Sequence, residues 1–161
     1  MTAARRAPDP DPEILAVGEN RKARFKYEIV ETFEAGLSLV GSEVKSLRAR
    51  KVGFADSYAV ARGAELWLLN LNIPQYEPAA RANHAPARSR KLLLHRREID
   101  RLVGKVREKG FTLVPLSVYF RRGWAKVKLA LVRGRTQYDK RRVLRERDAK
   151  RQIASAKRRF R

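Results

Sequence analysis

From Phe25 onward apolar and polar positions alternate with a period of two. Phe25, Tyr27 and Ile29 fall on one face, Lys26, Glu28 and Val30 on the other, the mark of a strand with one buried side. Glu34-Ala35-Gly36 breaks the run and predicts a turn, after which Leu37, Leu39 and Gly41 continue as a second strand. Ser42 then caps a short predicted helix, SEVKSLRARK, with Val44 and Leu47 on one side. SYAVARGAELWLLNLNI predicts a hairpin turning at Arg62-Gly63. A loop with three prolines, PQYEPAARANHAPARSR, follows. LLLHRREIDRLVGKVREKG predicts a helix with Leu94, Ile99, Leu102, Val103 and Val106 mostly on one stripe and Gly110 at its end. FTLVPLSVYF and WAKVKLALV predict a last hairpin across Arg121-Arg122-Gly123, in which Ala125, Val127, Leu129 and Leu131 alternate with Lys126, Lys128 and Ala130.

About six strands and two helices in so short a chain predict a mainly β fold with flanking helix (β+α). The expected form is a small antiparallel oligonucleotide-binding-like β-barrel, closed or nearly closed. An open sheet with two packed helices is the alternative.

The two ends follow other rules. In residues 1–19, Pro8, Pro10 and Pro12 alternate with acids, which denies both helix and sheet and predicts disorder. Residues 136–161 hold eleven Lys or Arg against three acids, with little apolar material. The expected organisation is thus a Pro-rich acidic segment at 1–19, a folded body at 20–135 and a basic tail at 136–161.

Charge then names the class of partner. The net charge of +21 divides into −2 for residues 1–19, +15 for the body and +8 for the tail. A basic body with a basic tail calls for a polyanion, either nucleic acid or an anionic membrane. No stretch approaches the roughly 20 apolar residues of a membrane span, and the first residues lack the apolar core of a secretory signal. With no cysteine in the chain, the expectation is a soluble cytoplasmic protein without disulfides.

Raw materials for catalysis are thin. His84 and His95 lie far apart, and each reads more readily as a surface or capping residue than as a catalyst. Metal-ligand spacing and a phosphate-cradling GxxxxGK[ST] loop are both missing. Asp139, Glu146 and Asp148 sit among arginines that pair with them at helical spacing. No catalytic residue, metal or cofactor is expected.

Binding chemistry is better represented. NRKAR sets Asn20, Arg21 and Lys22 beside Phe25 and Tyr27. Cations neutralise phosphates, an amide reads a base edge and an aromatic face stacks; a solvated basic lead-in to a strand is the plainer alternative. PARSRK offers Arg88, Arg90 and Lys91 as a second clamp, and Lys126 and Lys128 make a third basic surface. Glu34 is either an acceptor for a base amino group or an exposed turn residue. KGFTLVPL matches an RNA-recognition strand only faintly. Basic surfaces on separate elements point to an extended, folded RNA.

NRKAR, FEAG, GSEVKSLR, DSYA, RKLLLH, TLVPL, KVKLALVRG and DKR occur in this order from Asn20 to Arg151. Together they resemble the SsrA-binding protein family. That resemblance implies a barrel with helices alongside, bound to the tRNA-like domain of transfer-messenger RNA. It implies delivery of that RNA to stalled ribosomes in trans-translation, with the elongation factor Tu complex engaged indirectly, no enzymatic activity and no membrane partner. By position it places the RNA-facing surface on Asn20, Arg21, Lys22, Glu34, Tyr58, Leu93 and Lys126. Contacts with the small-subunit decoding site and mRNA channel fall on Phe25 and, in the tail, on Tyr138, Asp139, Lys140, Arg141, Lys150, Arg151 and Ile153.

The resemblance further implies a tail that is disordered when free and helical in an empty messenger channel. Ala149, Ile153, Ala156 and Phe160 form a helical stripe too narrow to bury by itself. Helical residues 139–160 would reach about 33 Å. An always-disordered tail supplying only charge is the alternative. Two positions depart from the family pattern: Ala149 stands where Trp is common, and Phe25 where His is common. A structural ribonucleoprotein or ribosomal component is the second functional reading, and an RNA-processing enzyme the third.

Overall fold

Alternating apolar residues end up inside a ring of strands. A computed structural model of the chain describes residues 13–108, 110–134 and 137–159. Its strands are β1 (Ile14–Glu19), β2 (Tyr27–Leu37), β3 (Tyr58–Arg62), β4 (Glu65–Leu69), β5 (Arg90–Leu93), β6 (Phe111–Arg121) and β7 (Trp124–Gly134). Its helices are α1 (Ala23–Lys26), α2 (Gly41–Arg48), α3 (Arg96–Arg107) and α4 (Gln137–Arg159), with a 3-10 segment at Glu77–Ala82. Strands β6-β3-β4-β5-β2-β7 follow one another in space and β7 pairs back onto β6, so the ring closes; β1 adds to β6. All pairings are antiparallel. The expected mainly β, antiparallel architecture is the one observed.

Inside lie Leu66, Leu68, Leu92, Leu113, Val118, Val127, Leu129 and Leu131, with Leu47 of α2 and Leu102 of α3 joining them. On the outer side of β6 and β7 a smaller cluster, Val114, Leu116, Ala130 and Val132, is covered by Ala23 of α1. The register of β6 shifts between Pro115 and Ser117, where proline has no N–H to give the ladder.

Several expectations are corrected. Glu34-Ala35-Gly36 is not a turn: β2 runs straight through it. At Gly36 the strand changes partner, lying opposite Lys126 of β7 and Leu93 of β5. A Cβ there would meet the Leu93 Cβ at 3.2 Å, so glycine permits the close approach at which the ring turns its corner. Arg90-Lys91-Leu92-Leu93 is a strand, not the start of a helix, because β4 and β2 flank it; α3 begins only at Arg96. Ser42 lies inside α2 and its hydroxyl meets His84 Nδ1 at 2.8 Å, while the Glu43 carboxylate accepts the Val40 N–H at 3.0 Å. The β3–β4 turn is Gly63-Ala64, one residue later than expected.

The boundary expected at Asn20 also moves. Ile14–Glu19 pairs with β6 and buries Val17, so the folded body includes β1. Pro8, Pro10 and Pro12 lie outside the described residues.

At the β6–β7 turn both Arg122 (φ 51) and Gly123 (φ 80) are left-handed, the type I′ pattern that matches strand twist. Gly123→Val is expected to cost about 1–2 kcal/mol, read as a lower urea midpoint at unchanged slope. Helix α4 is 23 residues long and Ile153 on it is 56% exposed. Among the described residues no helix is long and apolar enough to cross a membrane.

Candidate nucleic-acid interface

The chain's turn after β1 builds one wall of an open groove of about 630 Å³, lined by Asn20, Arg21, Lys22, Lys26, Tyr27 and Tyr58 among others. Asn20 holds this turn down. Its backbone N–H donates to Leu116 O at 2.7 Å, its Nδ2 donates to Pro115 O at 2.9 Å, and its Oδ1 accepts the Ala23 N–H at 3.3 Å. The amide is spent on the protein's own backbone, so Asn20 shapes the groove instead of offering a free base-reading edge. Arg21, Lys22 and Tyr58 are exposed. Among the described residues neither Arg21 nor Lys22 has an ion-pair partner. Phe25 is half-buried on α1.

A second surface lies on the outer face of four neighbouring strands. Leu93 stands opposite Gly36, Gly36 opposite Lys126, and Lys126 opposite Tyr119. One row along, Glu34 faces Lys128 and Lys128 faces Ser117. Leu93 is 51% exposed and so is no core residue; Trp124, at the hairpin tip, is 74% exposed. Glu34 accepts a hydrogen bond from the Tyr119 hydroxyl and pairs with Arg121 at 3.3 Å. Burial, with the Glu34 carboxylate as its hydrogen-bond partner, pushes the Tyr119 hydroxyl well above the ordinary tyrosine value.

The clamp expected at Arg88, Arg90 and Lys91 comes apart. Arg90 is fully buried. It donates to Glu43 Oε1 at 2.8 Å and to the carbonyls of Leu71, Arg88 and Pro86. It is therefore an internal strut and not an RNA contact. Arg88 joins it on Glu43, with contacts of 2.8 and 2.7 Å. Burial opposes the Glu43 charge, yet hydrogen bonds from Arg88, the Val40 N–H and Arg90 hold its carboxyl below the ordinary value. Lys91 is spent on Glu65 at 2.7 Å, which holds the Glu65 carboxyl below its ordinary value.

His84 is buried between the Ser42 hydroxyl and Ile73 O, both at 2.8 Å. His95 is exposed and its backbone N–H donates to Glu98 at 3.3 Å. Among the described residues no cluster of potential metal ligands occurs. Tyr138, Asp139, Lys140, Arg141, Lys150, Arg151 and Ile153 all lie on α4, which touches α1 beside the groove; Lys150 and Arg151 are exposed. Ala149 is on the same helix, and Phe160 lies outside the described residues.

Sequence reasoning passed over Tyr119, Arg121 and Trp124. Period-two spacing in the last hairpin sets Tyr119 and Arg121 on one face, but only the register shows that this is the lysine face.

The family model described as SmpB protein matches residues 17–159. The chain belongs to the SmpB protein family. The SsrA-binding protein of Anaeromyxobacter sp. (strain K) is 53% identical to this SmpB-family chain over 154 residues, 96% of this chain and 93% of its own length. That of Acidothermus cellulolyticus is 56% identical over 140 residues, 87% and 88% respectively. A chain in the solved structure "tmRNA-SmpB: a journey to the center of the bacterial ribosome" superposes with a TM-score of 0.65. It is 56% identical and covers 78% of this SmpB-family chain and 86% of its own.

Proposed function

We propose that this SmpB-family chain is an RNA-binding factor of ribosome rescue. It binds the tRNA-like domain of transfer-messenger RNA and carries it to stalled ribosomes for trans-translation, in the cytoplasm, by binding and not by turnover. Likeness to the SmpB chain of a structure described with tmRNA and the bacterial ribosome carries this reading. The lysine face of β7 and the groove at Arg21, Lys22 and Tyr58 are the RNA-facing surfaces. The cationic helix α4 probes the vacant mRNA channel at the small-subunit decoding site, and elongation factor Tu meets the protein only through the RNA.

Sequencing the RNA that co-purifies tests the whole reading. Transfer-messenger RNA is the expected enriched species. Ribosomal RNA alone, in step with ribosomes from unstressed cells, would instead mark a structural ribonucleoprotein component.

Lys126 tests the surface. It lies on the outer face with no ion-pair partner among the described residues, so a phosphate contact there is purely electrostatic. Lys126→Ala is expected to weaken RNA binding about five- to tenfold at physiological salt and to reduce the slope of log K against log[salt] by about one. Filter binding across a salt series reads both.

A further inference from the structure

Glu34 stands directly across the β2–β7 ladder from Lys128. Opposite charges in that position attract and ordinarily pair. Here the carboxylate turns away. The Tyr119 hydroxyl of β6 donates to its Oε2, and Arg121 Nη1 donates to Oε1 and Oε2 at 3.4 and 3.3 Å. Strand β7 runs between β6 and β2 and pairs with both. The Tyr119–Glu34 contact therefore crosses over β7, spanning two strand spacings or about 10 Å of sheet.

The crossing point is informative. Tyr119 lies opposite Lys126 and Glu34 lies opposite Lys128, so the strut passes between two outward lysines. Among the described residues, neither lysine has a hydrogen-bond or ion-pair partner. Without the Tyr119 hydroxyl, Glu34 is left between Arg121, which holds it at 3.3 Å, and the unpaired Lys128 directly across the ladder. Pairing with Lys128 would cancel one of the two charges this face offers to phosphates.

We propose that Tyr119 is a positioning residue for RNA recognition, holding the Glu34 carboxylate across β7 so that Lys126 and Lys128 both stay available to phosphates. The remaining lone pairs of Glu34 then face outward between the lysines as the acceptor for a base amino group. Arg121, two positions along the same strand, supports the same orientation. This inference rests on the reading that the lysine face meets RNA.

Its signature is a change in salt dependence from a residue that touches no phosphate. Tyr119→Phe keeps the ring and removes only the hydroxyl. With the tRNA-like domain of transfer-messenger RNA as probe, affinity is expected to fall about five- to tenfold, and the salt slope to shrink by about one, as it does in Lys128→Ala. Adding Glu34→Gln to Tyr119→Phe removes the charge that would fall onto Lys128, so the slope is expected to return to the parent value. Thermal unfolding of each variant shows that the fold is intact. A Tyr119→Phe slope equal to that of the parent, or a double variant as shallow as Tyr119→Phe, would overturn the positioning role alone. An unchanged slope in both Lys126→Ala and Lys128→Ala would instead remove this face from the RNA, and the inference with it.

Discussion

Glu43→Gln is expected to lower the stability of the fold by about 3–5 kcal/mol. Glu43 is fully buried and its carboxylate gathers Arg88, Arg90 and the Val40 N–H. Removing its charge strands the Arg90 guanidinium, which has no exposure to water. Arg88 keeps about a third of its side chain in solvent and can rehydrate; Arg90 cannot. The network joins α2, the loop before β5 and β5 itself, so its loss loosens the strand that carries Leu93. Chemical denaturation reads the change as a lower midpoint.

A pH series separates this from a simple packing defect. Although burial opposes its charge, hydrogen bonds from Arg88, the Val40 N–H and Arg90 hold the folded Glu43 carboxyl below the ordinary glutamate value. Its contribution is therefore fully present above that value and is lost as pH falls through the folded one. The stability gap between parent and Glu43→Gln is expected to be wide at neutral pH and to narrow below about pH 4. A gap constant with pH would contradict the assignment.

Ending the chain after Tyr138 is expected to abolish peptide tagging while leaving affinity for the tRNA-like domain within about threefold at physiological salt, where distant charges are largely screened. The removed residues carry Lys140, Arg141, Lys150, Arg151 and Ile153, all on α4 and none on the groove or the strand face. Ile153 is 56% exposed, so no core contact is lost there. A helix of 23 residues reaches about 35 Å, enough to sound out a channel beyond the reach of the ring. Reconstituted trans-translation on a message lacking a stop codon reads the outcome, and unchanged tagging would refute the probe. Leu144 and Ile153 are the exposed large apolar side chains that α4 offers to such a channel.

How far the sequence disclosed this molecule depended on whether the deciding partner was near in the chain. The last hairpin was legible because its alternation is long and Arg122-Gly123 supplies both left-handed turn residues locally. Strand β5 was not, since three leucines ahead of an amphipathic run read equally as helix until β4 and β2 close on them. Likewise Glu34-Ala35-Gly36 carries turn composition, yet Gly36 serves a close crossing with β5. Arg90 looked like surface charge because its counterion lies 47 positions away. Glu43 on the inward side of α2, beside Leu47, was the one local hint. The motifs single out Lys126 and Tyr58 as candidates, whereas Tyr119 emerges only from the register of three strands.

Competition between two RNAs tests the central claim most directly. At physiological salt, full-length protein is titrated against the tRNA-like domain of transfer-messenger RNA and against an unrelated hairpin of equal length. Binding to the tRNA-like domain at least about a hundredfold tighter is the expected result. Equal affinity for the two would reduce the lysine face and the groove to non-specific charge and contradict the assignment.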